Sequence, residues 1–333
     1  MKKPLSVGLI VATLTLSFMA CSPKPSVPKA GAARAMDMLT LIPKTAAGLI
    51  VIDVHGAMNT EAAKKAIAEN ESYQKYQEFI KETGLDPQND VYFVAVALGG
   101  NLTEAAAVEG SAIVNLRYSR DLLLAKMKEK SAELTESEYN GLKVYRFTDP
   151  SSQKPTAAVF LDDSNLVAGS EGGVEAVIDV FQKKSESVLA NKELMALIDQ
   201  SNTAALVWSA FLIPSEATAK MGENPFLSSL KGIKSLVFSF DYKNQSLMAE
   251  IAASGMDESA NKQVAEMLTG LKSLGAAGAA KEPKVGELLN KIEITATATQ
   301  VRISASIPEG LLQELSKKIN LQKAIGEKKE ELH

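Results

Sequence analysis

"IEITATATQVRISASI", residues 292–307, alternates apolar and polar side chains twice over. Ile292, Ile294, Ala296 and Ala298, then Val301, Ile303, Ala305 and Ile307, share one side of a period-two pattern; Thr, Glu, Arg and Ser take the other. Helical amphipathicity would repeat every ~3.6 residues, so this stretch predicts an antiparallel hairpin. One of its faces is apolar and the other wet or lightly covered. "SLVFSFDYKNQSLMAEIAAS" (235–254) predicts a second hairpin, turning at Lys243–Asn244.

Toward the N-terminus the strands read as continuous apolar runs as well. "AGLIVIDV" (47–54) suits a buried strand, and "DVYFVAVAL" (90–98) and "SAIVNLRY" (111–118) read as two more. "GLKVYRFT", "TAAVFLDD" and "NLVAGS" predict three antiparallel strands, with "DDSN" as the last turn. Helices are expected over 60–70 and 72–83, the second ended by Gly84. Two more are expected in "SRDLLLAKMKEK", capped by Ser119, and in "EGGVEAVIDVFQKK", capped by Ser170. Segments 258–274 and 308–319 complete the set, with "GAAGAAKEP" (275–283) as a flexible loop. Because hairpin-then-helix recurs, the expected fold is α+β. It comprises two related halves of antiparallel sheet covered by helices, at 36–214 and 215–333.

Residues 1–20 begin with Lys2 and Lys3 and continue in an apolar run from Leu5. The run is short of the ~20 apolar residues that a spanning helix needs, and reads as a signal peptide. Cys21, the one cysteine, follows it. "FMAC" (18–21) resembles the lipobox of bacterial lipoprotein precursors; Ala20 and Met19 fit, and Phe18 stands where leucine is usual. The resemblance implies that Cys21 becomes the first mature residue, with a diacylglyceryl group on its thiol and an acylated amino terminus. At about 0.8 kcal/mol per buried methylene, such chains anchor a protein without a spanning segment. Ser22 in place of aspartate implies the outer membrane. The implied location is the bacterial cell envelope, facing the periplasm or the cell surface. Residues 21–35 are then the lipidated cysteine and a Pro-, Ala- and Ser-rich tether, which extends at ~3.1 Å per residue to about 40 Å.

Composition narrows the function. The 333 residues carry a formal charge of −4, which becomes −6 once 1–20, with two lysines and no acid, is removed. An acidic chain with scattered Lys and Arg has no footprint for nucleic acid. With Cys21 acylated no disulfide forms, and the chain is long enough to bury a core unaided. "IPKTAAGLIVID", "YQEFIKETGLDPQNDVYFVAVAL", "YNGLKVYRF" and "LVAGSEGGVEAVIDVF" are similar to segments of a bacterial extracytoplasmic family of unknown function. That resemblance covers about 40–215; it implies an N-terminal membrane attachment and tandem α+β units, and supplies no functional residues.

Chemical candidates are few. His55 ends the first strand, with Asp53 two residues back on the same side, but no further histidine or cysteine accompanies them as a zinc set or triad. "DPQND" (86–90) and "FLDDSN" (160–165) hold oxygen ligands without calcium-loop spacing, and read as turns. "GSEGG" (169–173) precedes a helix but lacks the lysine of a phosphate loop. Tyr73, Tyr76, Phe79 and Ile80 have helical spacing and are expected to face the core, as is Trp208. Lys317, Lys318, Lys323, Lys328 and Lys329 are interleaved with Glu309, Glu314, Glu327, Glu330 and Glu331, which predicts a solvated helix. No catalytic residue, metal or cofactor is expected. The reading is a lipid-anchored, non-enzymatic module whose partners are the membrane, through Cys21, and an envelope protein. The alternative is a carrier or sensor of a small apolar ligand, which a large cavity lined by the Ala-rich 292–307 face would favour. An unrecognised hydrolase, needing acids gathered at His55, ranks third.

Overall fold

In Val91–Gly100 (β2) the alternate residues Phe93, Ala95 and Ala97 are fully buried, while Val94, Val96 and Leu98 between them are half-buried. That asymmetry runs through the whole fold. The computed structural model describes residues 32–68, 70–100, 108–130, 133–148, 154–216, 218, 230–279 and 282–315. Cys21, residues 1–20, most of the 21–35 segment and the lysines from 317 onward lie outside them.

Twelve strands form one sheet, and every neighbouring pair is antiparallel. They are Gly48–Asp53 (β1), β2, Val108–Leu116 (β3), Thr135–Tyr139 (β4), Leu142–Thr148 (β5) and Pro155–Phe160 (β6). Asn165–Gly169 (β7), Val207–Leu212 (β8), Ser235–Lys243 (β9), Ser246–Ser254 (β10), Ile292–Ala296 (β11) and Gln300–Pro308 (β12) follow. The spatial order is β11-β12-β10-β9-β8-β1-β2-β3-β7-β6-β5-β4. The α+β expectation therefore stands as helices on a single large antiparallel sheet. The expected division at 214/215 falls between β8 and β9, which pair directly from Val207↔Phe240 to Leu212↔Ser235.

One face of the sheet carries the main core. Leu49, Val51, Phe93, Ala95, Ile113, Val159, Val167, Trp208 and Ala210 lie on it, each at most 2% exposed. Ala32–Met38 (α1), Glu171–Phe181 (α7) and Lys192–Ile198 (α8) cover it, contributing Met38, Val174, Val177, Ile178, Leu194 and Ile198. Fully burying a side chain of this size contributes about 1.5–3 kcal/mol, so this layer supplies most of the cohesion. Helix α7 needs close approach: a Cβ at Gly173 would lie 2.7 Å from the Gly110 carbonyl oxygen, and Ser170 caps the helix by accepting from the Gly173 N–H at 3.2 Å.

Several local expectations shift. Val54–Met58 is a short helix (α2), so His55 sits in a helical turn rather than at a strand end. Glu61–Ala68 (α3), Asn70–Thr83 (α4), Pro87–Asp90 (α5) and Arg120–Lys130 (α6) follow. Gly84, at φ +70°, ends α4 as expected, donating to the Ile80 carbonyl at 2.7 Å. The β9–β10 turn lies one residue on, at Asn244–Gln245, both with positive φ, because Lys243 still pairs with Ser246. The expected 275–283 loop is largely helical. Glu258–Gly278 (α9) runs through "GAAG", and Pro283–Asn290 (α10) follows at once.

Candidate binding face

The second face of the sheet is apolar and incompletely covered. Cross-strand pairing places Ile294, Ile303, Ile251, Phe238, Ser209, Ile50, Val96 and Ala112 in one row from β11 to β3. A parallel row holds Ile292, Ala305, Ala249, Phe240, Val207, Ile52, Val94 and Val114. No charged side chain enters either row. The one polar member, Ser209, is fully buried and accepts a hydrogen bond from the Phe238 N–H at 3.2 Å. Phe240 is 38% and Ile251 47% exposed; the large aliphatic residues beside them in β8, β1 and β2 are half-buried.

Two groups of helices border this opening. At the Tyr242 end of β9, Lys65 of α3 reaches Glu309 at 3.9 Å, and Glu309 accepts from the Tyr242 hydroxyl. That bond, with burial behind it, pushes the Tyr242 phenol above its ordinary pKa. At the other end of the strands, α9 lays Val264, Ala260 and Leu268 against Val301 and Met256. The rows of Tyr242 and Leu236 are six residues apart, about 20 Å at ~3.4 Å each. The cover is loose. Helices α2, α3, α5 and α10 contain no fully buried residue, whereas α7 contains five.

The expected core-facing stripe on α4 does not form. Tyr73 and Phe79 are 50% and 44% exposed, and α4 packs chiefly on α3 and α6. Tyr76 is half-buried and donates to Asp86. Burial, and then that bond to Asp86, push its phenol up to about 12. Burial raises Asp86 in turn, but donors from Tyr76, Asn89 and the Gln88 N–H outweigh it and hold the carboxyl below its ordinary value.

The remaining candidates are occupied locally. Asp53 does not orient His55; it caps α2, accepting from the Gly56 N–H at 2.7 Å. His55 donates through Nδ1 to the Gln88 carbonyl at 2.9 Å, and among the described residues no ion pair joins its ring to an acid. Asp86 caps α5, and Asp90 is held by Arg117 at 2.6 Å. Asp162 accepts from the Ser164 and Asn165 N–H groups, closing the "DDSN" turn. At "GSEGG" the Ser170 hydroxyl donates to Glu109, whose carboxylate stands where an anion would sit before α7. Trp208 is core, as expected.

On the opposite side of β9, β10 and β12 the sheet is polar and wet. A groove of about 310 Å³ there is lined by Asp241, Lys243, Glu250, Lys291, Ser304 and Ser306 among others. Two of its acids are paired, buried Asp241 with Lys243 at 2.5 Å and Glu250 with the neighbouring Arg302 at 2.7 Å. Among the described residues no group of three or more His, Cys, Asp or Glu could hold a metal ion, and no helix is long and apolar enough to cross a membrane.

Fold and face together define an antiparallel-sheet protein with a packed side and an open apolar side. Residues 116–325 match the family described as "Protein of unknown function (DUF3352)", and the chain belongs to that family. No curated protein matches the chain. Three crystal forms of TP0453 are similar in structure. Form III has 11% sequence identity and a TM-score of 0.45, covering 87% of this chain and 97% of that one. Form I has 9% and 0.43, and form IV 10% and 0.41, each covering 84% of this chain and 96% of that one. The family match takes in only the later part of the 40–215 stretch in which a family of unknown function was expected.

Proposed function

We propose that the protein is a lipid-anchored, non-enzymatic binding module of the bacterial cell envelope, held to the outer membrane through Cys21, whose docking surface is the open apolar face. The observation that carries this is the pair of uncharged rows, with Phe240 and Ile251 exposed between two helix groups. Exposed apolar patches on a folded protein mark interaction surfaces. His55 Nδ1 is spent on the Gln88 carbonyl and Asp53 on the Gly56 N–H, which favours the binding reading over a His55–Asp53 hydrolase. The two halves, 36–214 and 215–333, would then share the face, each supplying four residues to each row, while the first supplies most of the core.

Two measurements test this. Cys21→Ser should abolish lipid labelling and leave soluble protein or precursor; retention on membranes after carbonate washing would sink the anchor. A photo-crosslinking amino acid at Phe240, in the otherwise native chain in cells, should capture a specific envelope partner or lipid. The same probe at Leu189, which is 48% exposed elsewhere, should not.

A further inference from the structure

The polar side of the late strands carries a second surface, separate from the apolar face. Cross-strand pairing sets Ser239, Glu250, Ser304 and Glu293 in one row, and Asp241, Met248 and Ser306 in the next, which Lys291 continues just ahead of β11. All eight line the groove of about 310 Å³. We propose that this groove binds a short neutral saccharide. Its chemistry follows from what the side chains have left to offer. Asp241 is 5% exposed; its Oδ1 accepts from the Tyr242 N–H at 2.9 Å. Its buried Oδ2 lies 2.5 Å from the Lys243 ammonium but out of line for a hydrogen bond. A carboxylate has about four acceptor sites, so this nearly buried group retains capacity that a donor in the groove would satisfy. Glu250 gives Oε1 to Arg302, and its Oε2 has no partner among the described residues. The hydroxyls of Ser239, Ser304 and Ser306 likewise make no hydrogen bond among the described residues.

Charge selects against ions. Asp241, Glu250 and Glu293 are balanced by Lys243, Lys291 and the neighbouring Arg302, so the groove attracts neither an anion nor a cation. Its density of donors and acceptors turns away hydrocarbon, which would leave each of them unpaired. A neutral saccharide meets both conditions. Its hydroxyls donate to Asp241 and Glu250 and accept from the serines and Lys291. Met248, 44% exposed between Asp241 and Ser306, gives the C–H side of a sugar ring a polarizable apolar seat. Size agrees as well. A volume of 310 Å³ stands at the lower end of the about 300–1,000 Å³ of small-molecule sites, which suits a mono- or disaccharide.

The test is isothermal titration calorimetry of the full chain carrying Cys21→Ser. The probes are N,N′-diacetylchitobiose, maltose and lactose, with digalacturonate and the glucosamine disaccharide as charged counterparts. At least one neutral sugar should bind saturably at one site, and both charged disaccharides should bind about tenfold more weakly or less. Glu250→Ala, which removes a charged acceptor, should weaken the neutral sugar about tenfold. Ser306→Phe, a bulky group at an exposed groove position, should abolish binding, and Leu189→Glu should leave it unchanged. Melting temperatures confirm that every variant folds. No saturable binding by any of the three neutral sugars overturns the assignment. So does equal affinity for either charged disaccharide, or binding that both groove variants leave intact.

Discussion

Tyr76 and Asp86 show how two ordinary residues fix a helix to the turn that follows it. The phenol donates to a carboxylate that also caps α5, so each group holds the other's protonation state away from its ordinary value. The consequences for pH have opposite signs. Tyr76 is raised from 10.0 to about 12, so its contribution is complete below pH 10 and disappears as pH rises through about 12. Asp86 is lowered, so its contribution is complete above the ordinary carboxylate range and disappears as pH falls through the depressed value. Tyr76→Phe should cost about 1 kcal/mol at neutral pH in denaturant titrations. Between pH 10 and 12 the variant should lose less stability than the wild type; an identical alkaline slope would show that the bond contributes nothing.

At the scale of elements, what was legible followed from how each pattern is generated. β1 announces itself as a continuous apolar run, β2 likewise, and the hairpin at 292–307 by alternation, a property of strands with one buried side. β4 ("TESEY") does not, since an edge strand carrying Glu136 and Glu138 has no apolar period to read. The "GAAG" end of α9 reads as a loop from glycine content, yet Gly275 lies against Leu289 of α10, and tertiary contact outweighs propensity. The apolar face was half visible. Its apolar residues stand out in the sequence, but alternation cannot say which face of a sheet the helices will cover, nor that Tyr73 and Phe79 would be left outside. The β7–α7 junction gives a sharp prediction at this scale. Gly173→Ala would push a methyl group into the Gly110 carbonyl, so it should destabilise by about 1–3 kcal/mol and lower the melting temperature, whereas Gly270→Ala, with nothing near its Cβ, should not.

For the whole molecule, continuity of the sheet is the governing fact. β8 hands its outer edge to β9 over six residue pairs, so cutting the chain between 214 and 215 would expose two long apolar strand edges. Residues 36–333 should melt in one cooperative calorimetric transition. Residues 36–214 and 215–333, expressed separately, should aggregate or remain unstructured. A stable, soluble 215–333 fragment would show that the second half is an independent domain after all.

The strand order also dictates a timetable. β1 lies in the middle of the sheet, yet it is the first strand to leave a ribosome or a membrane pore, and Leu49 must wait for Ala210 before that side of it is paired. Until β8 arrives, the nascent chain presents an unmated hydrophobic ribbon to whatever surrounds it. Such a polypeptide has reason to be escorted: its yield should fall steeply in cells short of holding chaperones, even though the finished protein, once closed at β1–β8, has no further need of them.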